Sequence, residues 1–381
     1  VSARVYLDHA AGTVVSPAAR TALVEGLALT GNPSSLHASG RAARRLLEES
    51  RESLAASLGA HPGEVVLTSG GTEGDNLAVR GGWRARRAEG RDAVAVSTVE
   101  HLAVAATAAA LAEDGGRVVG LGVDADGRVR EDVWDRVDER VAVASVMWVN
   151  NETGTLQPLD RLVEACRRSG AWSHSDAVQA VGVLDVDFAA SGLDLLTVSG
   201  HKLGAPVGVG ALLVRREVRL HPVGSGGGQE RDIRSGTVPA ALAAALAAAC
   251  AEAVAGRAEH RRRASELTGR LLAGLAASGL EGWRRNGGGE VSPAVVNLGF
   301  EGVRADDLLM LLDAAGIDCS TGSACSAGVV QPSAVLLAAG ADEATARSAL
   351  RFSFGPTTTA EDVDALLRVL PGAVRTARRV A

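Results

Sequence analysis

Leu195-Leu196-Thr197-Val198-Ser199-Gly200-His201-Lys202 is an apolar strand that runs through a small turn to an amine. Of the 39 Lys and Arg residues among 381, Lys202 alone is lysine. A general preference for arginine explains the scarcity but not the exception. Arginine serves wherever positive charge suffices. It cannot replace a primary amine that must lose its proton and bond to a carbonyl carbon. The stretch therefore reads as a Schiff-base lysine at a strand end. The bland alternative is a surface lysine that escaped replacement.

Working outward, other short apolar runs also end in polar, functional-looking residues. Val65–Thr68 enters Ser69-Gly70-Gly71-Thr72-Glu73-Gly74-Asp75-Asn76 and then a helix. A strand, a glycine turn and a helix N-terminus together favour an anion such as phosphate. Ala93–Ser97 leads to Glu100-His101, Val141–Val149 to Asn150-Asn151-Glu152, and Trp172–Ser175 to Asp176. Val209–Val214 reads as a further strand. This alternation of strands and helices describes an open α/β sheet with its site at the strand C-terminal ends. A glycine-rich loop, Gly224–Gly228, precedes Arg234-Ser235-Gly236-Thr237 and a long alanine-rich helix. Its pattern, to about Leu275, suits a spine between two domains. The pattern restarts near Gly287, with strands at Ala294–Leu298 and Leu350–Phe354 and a helix at Ala305–Ala315. Thr359 and Asp362 form a capping-box pattern for the last helix.

Length alone suggests two domains. Apolar content of 46% and charged content of 22% are those of a soluble globular protein. A net charge of −6 gives no standing basic surface for direct nucleic-acid contact. Cys166, Cys250, Cys319 and Cys325 form no C-x-x-C pair, zinc pattern or disulfide framework, so no metal is expected and a reducing cytoplasm suits them. No secretory signal opens the sequence. Val238–Ala251 is too short and too weakly apolar to span a bilayer, so no membrane partner is expected.

Pyridoxal 5'-phosphate is the cofactor to test against Lys202. Such a site needs a carboxylate to keep the pyridine nitrogen protonated. Asp176 suits that role, with Gln179 placed for the ring hydroxyl; a helix N-cap is the plain alternative for Asp176. His101 is the candidate flat partner for the ring. Gly71, Thr72, Ser199, His201 and Thr237 offer phosphate donors, and Arg351 suits a substrate carboxylate. Cys325 lies in Ser320–Gly328, where nearly every residue is small, and reads as a movable thiolate nucleophile. Cys166, Cys250 and Cys319 read as structural.

Taken in order, these stretches resemble the NifS/IscS-like cysteine desulfurases of the class V aminotransferase group. The resemblance is carried by Leu7–Ala11, Gly31–Ser35, Thr68–Glu73 with Asp75-Asn76, Glu100-His101, Val149–Glu152 and Asp176–Gln179. It continues through Ser199–Lys202, Gly226–Glu230, Arg234–Thr237, Gly322–Cys325 and Arg351–Ser353. It implies the α/β fold type I of pyridoxal-phosphate transferases. A large domain (13–257) would carry a mostly parallel seven-stranded sheet, and a smaller α+β domain (1–12 with 258–381) the cysteine loop. It implies a homodimer in which Thr237 reaches the partner's phosphate. Lys202 would hold the cofactor, His101 would stack on its ring and relay protons, and Asn151 would lie beside it. Asn32 and Arg351 would clamp the substrate carboxylate, and Cys325 would take sulfur from L-cysteine for an acceptor protein. Ala11-Gly12-Thr13-Val14 departs from the family's usual Ala-Thr-Thr-Pro. The long C-terminal tail that some members use to dock an iron–sulfur scaffold is expected to be missing.

The expected reaction is the conversion of L-cysteine to L-alanine, with the sulfur held as a persulfide on Cys325. DNA phosphorothioation or tRNA thiolation is favoured over iron–sulfur assembly as its destination. The rivals are a selenocysteine lyase or other enzyme of the same fold, an aminotransferase among them, and a non-catalytic sulfur-pathway scaffold.

Overall fold

The computed structural model describes residues 4–322 and 331–380. Cys325 therefore lies outside the described residues. The strands are β1 (Val5–Tyr6), β2 (Val65–Thr68), β3 (Ala93–Ser97), β4 (Arg117–Leu121), β5 (Val141–Ser145) and β6 (Trp172–Asp176). They continue as β7 (Leu195–Ser199), β8 (Gly210–Val214), β9 (Trp283–Asn286), β10 (Val295–Phe300), β11 (Ile317–Asp318) and β12 (Ala349–Ser353).

Seven of them form one sheet in the order β2-β8-β7-β6-β5-β3-β4. Only β8 runs against its neighbours. Its connection to β7 is the short stretch 200–209, which permits an antiparallel return but no crossover helix. β2, β3, β5, β7 and β8 are buried along their whole length, as expected for strands covered on both faces. The α/β architecture with a mostly parallel sheet is the one read from the sequence.

Two glycines let the sheet carry its first loop. Gly70, at φ 155°, adopts a backbone that side-chain-bearing residues rarely reach. A Cβ on Gly210 would lie 2.8 Å from the Gly70 Cα, so β8 and the loop after β2 meet backbone to backbone.

Several details differ from the sequence reading. β5 stops at Ser145 rather than Val149. The chain then turns back, with Val149 bridging Leu156 and the Asn150 Oδ1 accepting the N–H groups of Glu152 and Thr153. The alanine-rich spine is two helices, Ala240–Ala255 and Arg257–Ala277, bent by 64° at Gly256. Among the described residues no single helix is long and apolar enough to cross a membrane. β4 and β9 were not foreseen. Both are edge strands with exposed arginines, Arg117 and Arg284, which hide the apolar signal but discourage edge-to-edge pairing. The capping box at Thr359 and Asp362 forms as read, each side chain accepting the other's backbone N–H.

A large hydrophobic core lies against the seven-stranded sheet, and a second lies against the three-stranded sheet β12-β10-β9. Leu7, near the start of the described chain, belongs to the second core beside Leu271, Phe300, Phe352 and Leu370. It is fixed there on both sides: its N–H donates to Asp318 O at 2.9 Å and its carbonyl accepts from the Ser353 N–H at 2.8 Å. Leu7→Ala should cost about 2–5 kcal/mol through lost burial and the cavity left behind. Chemical denaturation of the wild type and the variant measures this.

Candidate active site

The C-terminal ends of β2, β3, β5, β6 and β7 deliver their side chains to one cleft of about 570 Å³. Gly71, Thr72, His101, Asn151, Asp176, Gln179, Ser199, His201, Lys202 and Arg351 all line it. These residues are far apart in the chain and share only their position at strand or loop ends.

Gly70 caps the helix Gly71–Arg86 without a side-chain hydrogen bond, so the first N–H groups of that helix are left to face a ligand. Ser199 Oγ lies 3.0 Å from His201 Nδ1, at the same end of the cleft as Gly71. Asp176 also lines the cleft, buried at the end of β6, where its Oδ1 accepts the Val178 N–H at 2.8 Å. Burial pushes the Asp176 carboxyl up; the Val178 N–H and the nearby His101 and Lys202 work against that rise. His101 caps the helix Leu102–Glu113 through Nδ1, which accepts the Ala103 N–H at 3.1 Å. Nδ1 is thereby an acceptor, so the neutral ring carries its proton on Nε2.

Lys202 lies on the single turn after β7. Its Nζ donates to the carbonyls of Ala10 and Ala11, the latter at 2.7 Å. Burial pushes the amine down to about 8, and the positive charge of Arg351 adds to this against Asp8 and Asp176. Arg351 is itself buried, donating to Asp8 Oδ1 at 2.7 Å and to Asn151 O at 2.9 Å. An incoming carboxylate would compete with Asp8 for it.

Two residues named from the sequence do not line the cleft. Asn32 is exposed, and its Oδ1 accepts the Ser34 N–H at 2.9 Å. Thr237 is exposed on the far side of the glycine-rich loop. The cleft also contains acids to which the sequence reading gave no role. Asp75 is 1% exposed, and burial together with the nearby Asp176 charge drives its carboxyl well above the usual range. Glu100 accepts from Ser97 Oγ and the Met147 N–H, and burial raises it to about 8. Only their places beside Gly71-Thr72 and His101 could have drawn attention to them. Asp75, His101 and Asp176 bring ligand-type atoms within 4.8 Å of one another. The group lies within this same cleft.

A depressed Lys202 has a definite pH signature. Below about pH 8 the amine is protonated and does not attack an aldehyde; above it the free amine prevails. Reaction of the cofactor-free chain with pyridoxal phosphate, trapped by borohydride and read by peptide mapping, should rise roughly tenfold per pH unit and level off near 8. A plateau near the ordinary lysine value would show an amine without this environment.

The family model "Aminotransferase class-V" matches residues 5–366. An IscS-like cysteine desulfurase of Mycobacterium tuberculosis is 50% identical, over 99% of this chain and 98% of its own length. Among solved structures, a NifS-like protein superposes with a TM-score of 0.91 at 30% identity, covering 98% of this chain and 100% of its own. DndA from Streptomyces lividans does so at 0.78 and 38% identity, covering 91% and 99%. With a match of this length laid over a cleft built from five strand ends, the chain belongs to the class-V aminotransferase family, whose pyridoxal-phosphate-dependent IscS- and NifS-like members it resembles from end to end.

Proposed function

We propose that the chain is a pyridoxal 5'-phosphate-dependent cysteine desulfurase that converts L-cysteine to L-alanine. The observation that carries the reading is the meeting of three groups in one cleft: the helix N-terminus at Gly71-Thr72, the buried Asp176 and the amine of Lys202. The donor set fits the cofactor. Uncapped helix N–H groups, a buried carboxyl and a depressed amine line the same cleft.

Gly71, Thr72, Ser199 and His201 would hold the phosphate, Asp176 the ring nitrogen and Gln179 the ring hydroxyl. His101 would cover the ring and Asn151 would lie beside it. When bound, the cofactor withdraws electrons from the substrate carbons. Arg351, with Asn32, would orient the substrate carboxylate. Lys202 Nζ takes the α-proton and later delivers a proton back to carbon. The Cys325 thiolate attacks the substrate sulfur; the new S–S bond forms as the C–S bond breaks, and the electron pair stays with the carbon side that becomes alanine. Gly322 and Gln331, the described residues on either side of 323–330, both line the cleft.

The functional unit on this reading is a homodimer in the cytoplasm. The glycine-rich loop supports the dimer: Glu230 anchors it by pairing with Arg51 at 2.8 Å and accepting the Leu67 N–H, while Thr237 stays exposed for a partner. The free Cys166, Cys250 and Cys319 suit a reducing compartment. For the sulfur we keep a protein acceptor in DNA phosphorothioation or tRNA thiolation, ahead of iron–sulfur assembly. The likeness to DndA favours this, whereas the IscS-like name of the 50% identical relative points elsewhere. Capture of the acceptor on the cysteine-loaded enzyme decides between them, and an iron–sulfur scaffold as the captured protein overturns the preference.

Alanine release from cysteine is the direct test. Lys202→Arg should lose more than about a hundredfold. Cys325→Ala should fall to background; full turnover with reductant as the only acceptor would remove Cys325 from the mechanism.

A further inference from the structure

A second, smaller chamber shares a wall with the cleft. It has a volume of about 60 Å³, and its walls include His9, Gln179, Lys202, His260, Ala294 and Ser353. Lys202, Gln179, Ala10 and Val178 line both spaces, so the lysine forms part of the partition between them.

His9 is the polar group built into this chamber. It is 6% exposed. Its Nδ1 lies 2.7 Å from Thr13 Oγ1, and its ring meets Tyr6 edge-on at 4.9 Å. A Cβ on Gly355 would lie 2.0 Å from His9 Nδ1, so glycine there leaves room for the ring. The ring is thus held on three sides. Its Nε2 is buried and has no hydrogen-bond partner among the described residues. A buried imidazole nitrogen without a partner is costly, and a polar chamber of this size accommodates more than one water. Burial, with like charge from His260, lowers His9 to about 4, so it meets the chamber as a neutral ring.

We propose that this chamber is a water site anchored by His9 Nε2, and that its water exchanges protons with Lys202 from the side opposite the substrate. His9 is then a positioning residue. The inference rests on Lys202 being the amine that moves the α-proton. After abstraction, Nζ carries the substrate proton beside its own. Either that proton returns to the substrate-derived carbon, or a hydrogen from the chamber water takes its place. No redox change and no other reactant is involved. His9 also adjoins Ala10 and Ala11, whose carbonyls accept from Lys202 Nζ.

The test follows cysteine deuterated at Cα through the loaded enzyme in ordinary water, with the deuterium left at Cα of alanine as the readout. His9→Phe keeps a ring and removes both nitrogens; it should raise deuterium retention several-fold. Ala294→Val narrows the chamber from another wall with His9 intact and should act in the same direction. His9→Gln restores a polar end and should bring retention back toward wild type. A high-resolution crystal structure of the cofactor-free chain should place ordered water on His9 Nε2. Retention unchanged in both His9→Phe and Ala294→Val, or a dry chamber, overturns the proposal. If Lys202 is not the proton carrier, Lys202→Arg will still turn over, an outcome that leaves the chamber water in the crystal untouched.

Discussion

An amine and a carboxyl are each held here where burial works against their charge. Lys202 and Asp176 stand at the ends of neighbouring strands, β7 and β6, and burial is the largest influence on both. Left alone, each is driven toward its neutral form. A protonated ring nitrogen held by Asp176 and a carbonyl carbon bound by Lys202 would relieve both strains at once. The site is therefore predisposed to one kind of guest, and the sheet exists to keep the two groups in register. The register is backbone chemistry: Asp176 pairs with Thr197 in the ladder, and Lys202 follows three residues after β7 ends.

The surrounding structure serves this pair in layers. Gly70 and Gly210 allow the loop after β2 to approach β8, which aims a helix N-terminus into the cleft. The Asp8–Arg351 ion pair ties the second core to the same place. Asp75 and Glu100 enlarge the buried acidic side without any arginine or lysine paired to them. Burial biases both carboxyls toward their protonated forms.

Much of this was readable in the sequence because the chemistry demands uncommon residues in fixed settings. A solitary lysine, an acid after an apolar run and a glycine-rich turn before a helix each have few other uses, and the structure brings all three to one cleft. Asp75 and Glu100 were not readable as site residues, because their character comes from burial beside chain-distant groups. The same holds for His9, which looks like one more loop histidine until Thr13, Tyr6 and Gly355 surround it. Edge strands β4 and β9 were hidden by their arginines. The bend at Gly256 was hidden by alanine, which makes two helices look like one. Asn32 carried no local signal of its role, and Thr237 read only as a phosphate donor after a glycine-rich loop; the family resemblance supplied the substrate contact of the one and the partner-subunit reach of the other, and both lie exposed on a single chain.

The short strand β1 has a consequence for how the protein is made. Val5 pairs with Ile317, Asp8 bridges Ser353 and Arg351 closes on Asp8. Lys202 in turn rests on Ala10 and Ala11, which those contacts hold in place. On a ribosome Lys202 emerges well before Ile317 and Ser353, so the strand that leads into Ala10 and Ala11 has no partner strand until those later residues appear. At about 5–20 residues per second, that interval between Lys202 and Arg351 lasts roughly 7 to 30 s. Through that time the large sheet can fold while the strand leading into Ala10 and Ala11 stays unpaired, so completion of the site waits on the stretch from Ile317 to Ser353.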